Sequence, residues 1–379
     1  MKATDKINSW LHPFMAMRVR SKYRKEIRYW ERKHPSAFAR ISPSVREKHF
    51  SLWGRLISSP CDNWLRLLTF LSGKSDYRFM PADVYYSSIE RCLNDCDSAG
   101  NGIEDKNKVA LYVPNEFMPS TLVRFVRGMF FDANFKPIAA EDADEILRGY
   151  AGDIIGKQSV GSCGGKSVRL FTDVGNGVKK DGDLQLSAKW IASHNDTYIA
   201  QERVRQEPVI ASFNPQTVNT CRIVTFRRPW SGVVSVIASM IRFGGDEKVV
   251  DNISSGGFCA SIDDEGVMSS NGVDGAFNLI SEHPISHIKT KGISIPGFKE
   301  MCDVAITVAS CVPEYNLLGF DMVVREDGRP CVIEVNATSI ACVHVQMNRP
   351  FFGDETEEVV DWCLAHRDYD RFNHFRTWY

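Results

Sequence analysis

The chain reads as an α+β protein on three observations: a helix-forming first hundred residues, a run of short strand-like segments after them, and an acidic hairpin late in the sequence. Residues 1–98 read as mostly helical, with breaks at Pro35, Pro43, Pro60 and Pro81, where the proline ring interrupts a helix. Arg18 to Lys33 concentrates basic residues, while Val19, Tyr23, Ile27 and Trp30 recur every three or four positions, the pattern of a basic amphipathic helix. The stretch Asp95-Cys-Asp-Ser-Ala-Gly-Asn-Gly then reads as a turn-rich linker.

Strands are expected next at Val109–Val113 and Val126–Phe131, followed by a helix at Glu141–Tyr150 whose acidic first turn suits the positive end of a helix dipole. Further strands read at 153–157, 168–171, 197–201, 221–226 and 233–243, and a polar hairpin at Asp263-Asp264-Glu265-Gly266. Phe298, Met301, Ala305, Val308 and Val312 make one stripe of an amphipathic helix that opens near Pro296. The tail from Glu355 to Tyr379 reads as a helix followed by a basic aromatic end.

The most informative element is the hairpin Gly319 to Asn336. Two apolar runs flank Asp327-Gly328, a dipeptide that supplies the positive φ angles of a two-residue turn. That turn sets Asp321 directly across from Glu334 with Cβ atoms roughly 4.5–5.5 Å apart, and Asn336 points to the same face. Two buried carboxylates this close require a proton or a cation between them. An oxygen-only set of Asp, Glu and Asn suits Mg²⁺, which fills its shell with nucleotide phosphates. The plainer alternative is a pair of solvated acids on an exposed hairpin.

Bulk properties narrow the class. A chain of 379 residues, 43% hydrophobic and 25% charged, has the make-up of a globular enzyme with two or three structural units. No run of some eighteen apolar residues is present, and the N-terminus has no secretory signal pattern. The 11 cysteines follow no metal-ligand spacing, which points to reduced thiols and a cytoplasmic setting. His283, His287 and His344 are dispersed and read as surface or capping residues. Net charge is −1, but residues 1–50 hold 13 Lys/Arg against 4 Asp/Glu, which leaves −10 on the remainder. The basic helix is therefore either a packed helix with a solvated face or a contact for an anionic membrane surface, an acidic glycan or a lipid phosphate. A nucleic-acid role is not expected, since nothing else in the chain resembles such a module.

A phosphate-handling set lies between these regions. The loop Gly161-Ser162-Cys163-Gly164-Gly165-Lys166-Ser167 lets backbone amides approach an anion closely. It is not a P-loop of the Walker type, because the lysine spacing differs and a strand follows. Lys157, at the end of an apolar strand, can reach phosphates as a point charge. Arg222 and Arg242 sit inside apolar strands, so each must face an anion or a nearby acid. Asp251-Asn252 and Gly256-Gly257 follow in a turn-rich segment.

In this order the parts resemble an ATP-grasp enzyme: strand and Lys157, glycine loop, Gln201-Glu202-Arg203-Val204, Arg222, Arg242, Asn252 with Gly256-Gly257, then Asp321 and Glu334-Val-Asn336. The phrases Val218-Asn219-Thr220-Cys221-Arg222, Ile241-Arg242-Phe243-Gly244, Val250-Asp251-Asn252 and Leu318-Gly319-Phe320-Asp321 resemble the sugar-transfer-associated ATP-grasp subgroup, over roughly Glu104 to Gln346. The resemblance implies an ATP-grasp fold, two α+β subdomains clasping ATP, with a helical N-terminal extension. It divides the chain into a helical region 1–98, a preceding segment 104–150, a small subdomain 151–206, a large subdomain 207–350 with the Mg²⁺ site, and a tail 351–379.

Roles follow from the same resemblance. Lys106 corresponds to the first ATP-contacting lysine and Lys157 to the second, with Gly161, Ser162, Gly164, Gly165, Lys166 and Ser167 closing over the phosphates. Gln201, Glu202 and the Val204 backbone would form the adenine hinge, with Gln206 or Glu207 near the ribose. Asp321, Glu334 and Asn336 would bind one or two Mg²⁺, while Arg222, Arg242 and Asn252 would serve the reacting phosphoryl and acyl groups. Asp251 stands where ligases of glutamate and glutathione type tend to carry a basic residue, which suggests a cationic or neutral acceptor. The implied activity is ATP-dependent ligation of a small-molecule or glycan carboxylate to an amine through an acyl-phosphate, in surface polysaccharide or sugar-conjugate assembly. The setting is cytoplasmic, with residues 18–33 touching the inner membrane face or a lipid-linked glycan. A phosphotransferase acting on a sugar or alcohol and a non-catalytic nucleotide-binding protein are the alternatives.

Overall fold

The computed structural model describes residues 3–99, 102–161, 167–245, 251, 253, 256–268, 271–340 and 342–367. Among them the strands build two antiparallel sheets. The first contains β1 (Thr121–Val126), β2 (Met129–Phe131), β3 (Pro137–Ile138), β4 (Ile154–Gln158), β5 (Arg169–Asp173), β6 (Lys179–Asp181), β7 (Leu184–Gln185) and β8 (Thr197–Glu202), in the order β3-β2-β1-β8-β4-β5-β6-β7. The second contains β9 (Cys221–Arg227), β10 (Val234–Phe243), β11 (Phe258–Ile262), β12 (Gly272–Asp274), β13 (Leu279–Ile280), β14 (Leu317–Val324) and β15 (Pro330–Asn336), ordered β13-β12-β11-β10-β9-β14-β15.

The first sheet buries one face against the helices Ala140–Gly149 and Ala188–His194, through Val123, Phe125, Leu147, Ile154, Phe171 and Ile191. The second is covered on both sides, which is why β14 is buried along its whole length and reads as an unbroken apolar run around Asp321. Ile223, Ile241, Phe320 and Met322 face the helix Phe298–Ser310. On the other side Val224, Phe226, Met240 and Leu317 pack into one core with Ile27, Trp53, Trp64 and Tyr85 of the N-terminal region and Val359, Val360 and Cys363 of the helix Thr356–Ala365. The helical N-terminal region is thus a layer of the second sheet's core. Ala3–Lys33 is one long helix whose Val19 and Ile27 are buried while Arg18, Lys22, Lys25, Arg28 and Arg32 are exposed.

Three local readings change. Val109–Val113 is a 3₁₀ turn (Val109–Leu111) and not a strand; Val109 and Val113 are both buried and four apart, a spacing that suits a helical turn as well as it suits a short strand. Val126–Phe131 is a hairpin that turns at Arg127 and Gly128, both with positive φ (44° and 92°), so Gly128 was the missed signal. The turn-rich stretch from Asp95 is not an open linker. It contains the short helix Cys96–Ala99 and is tied to the second sheet, with Asp95 N donating to Glu314 O at 3.2 Å.

Candidate functional site

The site begins with the hairpin β14–β15. Its tip does not use the two-residue turn expected at Asp327-Gly328. Arg325 N donates to Arg329 O at 2.8 Å, leaving a three-residue loop with Gly328 at φ 85°. Pairing from Val324↔Pro330 to Met322↔Val332 is therefore one residue out of the expected register. A bulge at Ile333 restores it, so that Asp321 pairs with Glu334 and Gly319 with Asn336. The juxtaposition expected from the sequence is present by a different route.

Asp321 is nearly enclosed, 5% exposed, and both of its oxygens are used. Arg222 Nε donates to Oδ1 at 2.5 Å and Arg222 Nη2 to Oδ2 at 3.2 Å. Arg242 Nη2 reaches Oδ2 at 3.0 Å. Pairing across β9, Asp321↔Arg222, and across β10, Met240↔Arg222, puts both arginines on the same sheet face as Asp321. Burial by itself would raise the Asp321 carboxyl; the two guanidinium groups outweigh it and hold the carboxyl below its usual range. Arg242 continues the network, donating through Nη2 to Thr220 Oγ1 at 2.6 Å and lying 3.4 Å from Asp251 Oδ2. Asp251 also accepts from Thr220 N at 2.9 Å and from the Thr220 hydroxyl. Its carboxyl is raised by burial and lowered in part by Arg242, so Asp251 orients Arg242 and Thr220 instead of offering a free anion to a cationic acceptor.

Glu334 meets the other pair of cations. Lys106 Nζ donates to its Oε1 at 3.0 Å. Lys157, 5% exposed on β4, is lowered to about 8 first by burial and then by Lys106, against the pull of Glu334 and Asp321. Asn336 turns its amide to Gly319 O at 3.3 Å. Among the described residues no three His, Cys, Asp or Glu side chains gather as a metal cage. Two carboxylates and an amide nonetheless fit a hard dication that draws its remaining ligands from phosphate. Arg222 Nη1, Ser159 Oγ and Ser167 Oγ are buried without a partner among the described residues.

The other expected residues fall in three groups. Gly161 has φ 72° at the start of its loop, whereas Ser162, Cys163, Gly164, Gly165, Lys166 and Asn252 lie outside the described residues. Gln201, Glu202 and Val204 run from β8 into the connection to the second sheet. Glu202 accepts from Ser120 N at 2.9 Å and Arg325 Nη1 at 2.8 Å, and Gln201 Nε2 donates to Thr121 Oγ1 at 3.2 Å. Gln206 and Glu207, the two ribose candidates, are already engaged. Gln206 exchanges both amide bonds with the Asn219 backbone (2.7 and 2.8 Å), and Glu207 caps Pro208–Ala211 through Val209 N at 2.9 Å. His283 is fully buried, its Nδ1 capping the turn at Ile285 N (3.2 Å).

Sequence reasoning missed the residues that dock the hairpin. Asn94 donates to Leu317 O at 2.7 Å and Ala337 O at 2.6 Å, and accepts from Leu317 N at 2.9 Å, which ties the start of β14 to the residue after β15. Glu104 Oε1 accepts from Ala337 N, Thr338 N and Thr338 Oγ1 at 2.9, 2.8 and 2.8 Å. Glu90 Oε1 accepts from Ser339 N at 2.8 Å, a residue held at φ 56°. Lys106 N donates to Ser159 O at 3.0 Å, Asn107 Nδ2 reaches Tyr198 O at 3.4 Å, and Arg124 Nη1 grips Asn107 O at 3.0 Å. A short stretch thereby fastens both sheets at the site. Only its concentration of Asn, Asp and Glu hinted at this, and that composition reads equally well as a surface loop.

A family model described as sugar-transfer associated ATP-grasp matches residues 117–359. No curated protein matches. Solved structures with a similar arrangement include N5-carboxyaminoimidazole ribonucleotide synthetase from Thermotoga maritima, at 12% identity and TM-score 0.33, covering 66% of this chain and 51% of that one. Biotin carboxylase from Campylobacter jejuni gives 14% and 0.40 over 70% and 46%, and the VanG D-Ala:D-Ser ligase from Enterococcus faecalis 13% and 0.41 over 69% and 61%. The chain thus spans about half to three fifths of the length of these proteins.

Proposed function

The chain belongs to the sugar-transfer associated ATP-grasp family, and from that premise we propose that it is a carboxylate–amine ligase that activates the carboxylate with ATP and Mg²⁺. The observation that carries the reading is the cross-strand pair of buried Asp321 and half-buried Glu334, with Arg222 and Arg242 on the first, Lys106 on the second and Lys157 nearby. Four cations around two carboxylates leave the site with positive charge to spend on a polyphosphate.

When bound, Mg²⁺ held by Asp321, Glu334 and Asn336 would neutralise β- and γ-phosphate oxygens while a substrate carboxylate takes the γ-phosphoryl group. The chain's own contribution is positioning and charge. Lys106 and Lys157 offer ammonium donors to phosphate oxygens, and Arg222 and Arg242 offer planar forks to the phosphoryl group in transfer. Amine attack on the acyl-phosphate then releases phosphate and yields the amide, with no protein nucleophile required. The glycine loop with Gly161 and Ser167, and the hinge from Gln201 to Glu207, are assigned the phosphates and the adenosine.

The surface-glycan part of the reading rests on the family description and on the exposed basic face of the first helix, which suits an acidic lipid-linked glycan at the inner face of a membrane. No helix among the described residues is long and apolar enough to cross a membrane. Incubation with ATP, Mg²⁺ and hydroxylamine across a panel of uronic and amino acids tests the chemistry: hydroxamate formation supports an acyl-phosphate. A stable phosphorylated sugar or alcohol would sink the ligase reading and favour phosphotransfer.

A further inference from the structure

We infer that Arg222 and Arg242 are internal counter-ions standing on the metal carboxylate Asp321, so that the site takes up a divalent cation only together with nucleotide. The inference rests on the ATP-grasp reading and adds an order of events to it. A carboxylate presents about four lone-pair directions. On Asp321 three are occupied, by Arg222 Nε, Arg222 Nη2 and Arg242 Nη2. The group is 5% exposed, so water does not share the load.

Glu334 repeats the arrangement with Lys106 at 3.0 Å. A lone dication approaching this pair meets two guanidinium groups and an ammonium already within hydrogen-bond distance of its ligands. Lys157 stands nearby as a fourth cation, and its charge is disfavoured by burial and by Lys106. Counting Asp321, Glu334 and Asp251 against Arg222, Arg242, Lys106 and Lys157, the side chains together carry one excess positive charge. The site is a receptor for an anion before it is a receptor for a cation.

A polyphosphate changes the balance. Its oxygens match the guanidinium fork as well as a carboxylate does, and Arg222 Nη1, buried without a partner, gains one. Each arginine exchanges Asp321 for phosphate, and each freed carboxylate lone pair is returned to the metal that accompanies the nucleotide. Asp251 and Thr220 keep Arg242 anchored through the exchange: Thr220 Oγ1 holds both Nε (3.1 Å) and Nη2 (2.6 Å), and only the Nη2 contact to Asp321 is given up. No covalent bond changes, and only ion-pair partners are traded.

Mn²⁺, followed by its paramagnetic resonance signal, tests this on the full-length protein alone and with ADP, corrected for Mn²⁺–ADP in solution. The expected result is no uptake by the unmodified protein without ADP at concentrations that saturate it with ADP. Arg222→Met should raise metal-alone affinity at least tenfold, and Arg242→Gln should raise it less. Adding Asp321→Asn to Arg222→Met should remove the gain. Equal Mn²⁺ affinity of the unmodified protein with and without ADP overturns the inference, whether or not the variants fold. So do folded arginine variants, checked by circular dichroism, that bind Mn²⁺ no better than the parent. Calorimetry of ADP in Mg²⁺ buffer separates the two readings. No ADP binding sinks the nucleotide site itself, whereas ADP binding with metal uptake indifferent to the arginines sinks the exchange alone.

Discussion

The hairpin Leu317–Asn336 and the stretch Glu90–Asn107 meet at the same site and are built on opposite principles. The hairpin is apolar along its strands and carries its own ladder, bulged at Ile333; Asp321 and Glu334 stand out because their strand neighbours are Phe320, Met322, Ile333 and Val335. The other stretch is polar and irregular, and owes its shape to side chains that satisfy another segment's backbone: Asn94, Glu104 and Glu90 on residues 317 and 337–339. A buried polar backbone group must find a partner. After β15 the chain leaves its ladder, and the partners are supplied from more than two hundred positions away. On the proposed function the hairpin carries the chemistry and the polar stretch holds it in register.

If that division is right, substitutions in the two regions fail differently. Asp321→Ala should show the largest effect, a loss of hydroxamate formation by about two orders of magnitude or more, because the cation it is proposed to hold meets charge that develops in the reaction, with circular dichroism checking that the fold survives the loss of a partner for Arg222 and Arg242. Retained turnover would remove Asp321 from the metal site. Asn94→Ala should instead act on stability: three buried hydrogen bonds disappear together, for about 2–4 kcal/mol in denaturant melts, with a rise in nucleotide KM larger than the fall in kcat. A change in kcat alone would break the comparison. Glu104→Gln should be nearly silent, because the amide oxygen can still accept from Ala337, Thr338 N and Thr338 Oγ1, whereas Glu104→Ala should resemble Asn94→Ala.

A pH dependence tests the cations of the site. Burial lowers Lys157 from 10.5 to about 8, so between those values the unfolded chain binds more protons than the folded one, and folding stability rises with pH across that window. Anion binding needs the ammonium form. ADP affinity should therefore fall as pH rises above about 8, by up to tenfold per unit, and binding near pH 8 should take up protons in calorimetry across buffers of different ionisation enthalpy. Lys157→Met should bind weakly with a flat profile; an unchanged slope would assign the titration elsewhere.

Much of the fold was legible because its elements are long and periodic. The stripe Phe298, Met301, Ala305, Val308 announces the helix Phe298–Ser310, and the run Leu317–Val324 announces a strand buried on both faces. The chemistry of the candidate site was legible for a related reason: Lys157, Arg222, Arg242 and Asp321 interrupt apolar strands, and a charge there has to have a purpose. What failed was short or compensated. Val109–Val113 carries a spacing that serves a strand or a turn alike. In the hairpin, a three-residue loop and a bulge at Ile333 together reproduce the pairing of a two-residue loop, and neither feature leaves a mark in side-chain patterning that would tell them apart.

The sequence by itself determined which groups are present and which must be neutralised, since burial of an ionised residue follows from its apolar neighbours along one strand. It therefore pointed to the acids, the strand cations and the type of cation they would suit. Only the tertiary structure decided who neutralises whom. Arg222 reaches Asp321 across 99 positions, Lys106 reaches Glu334 across 228, and Asn94 reaches Ala337 across 243. These pairings depend on the order in which strands are laid side by side and on helices packed over them, and no local spacing encodes that order.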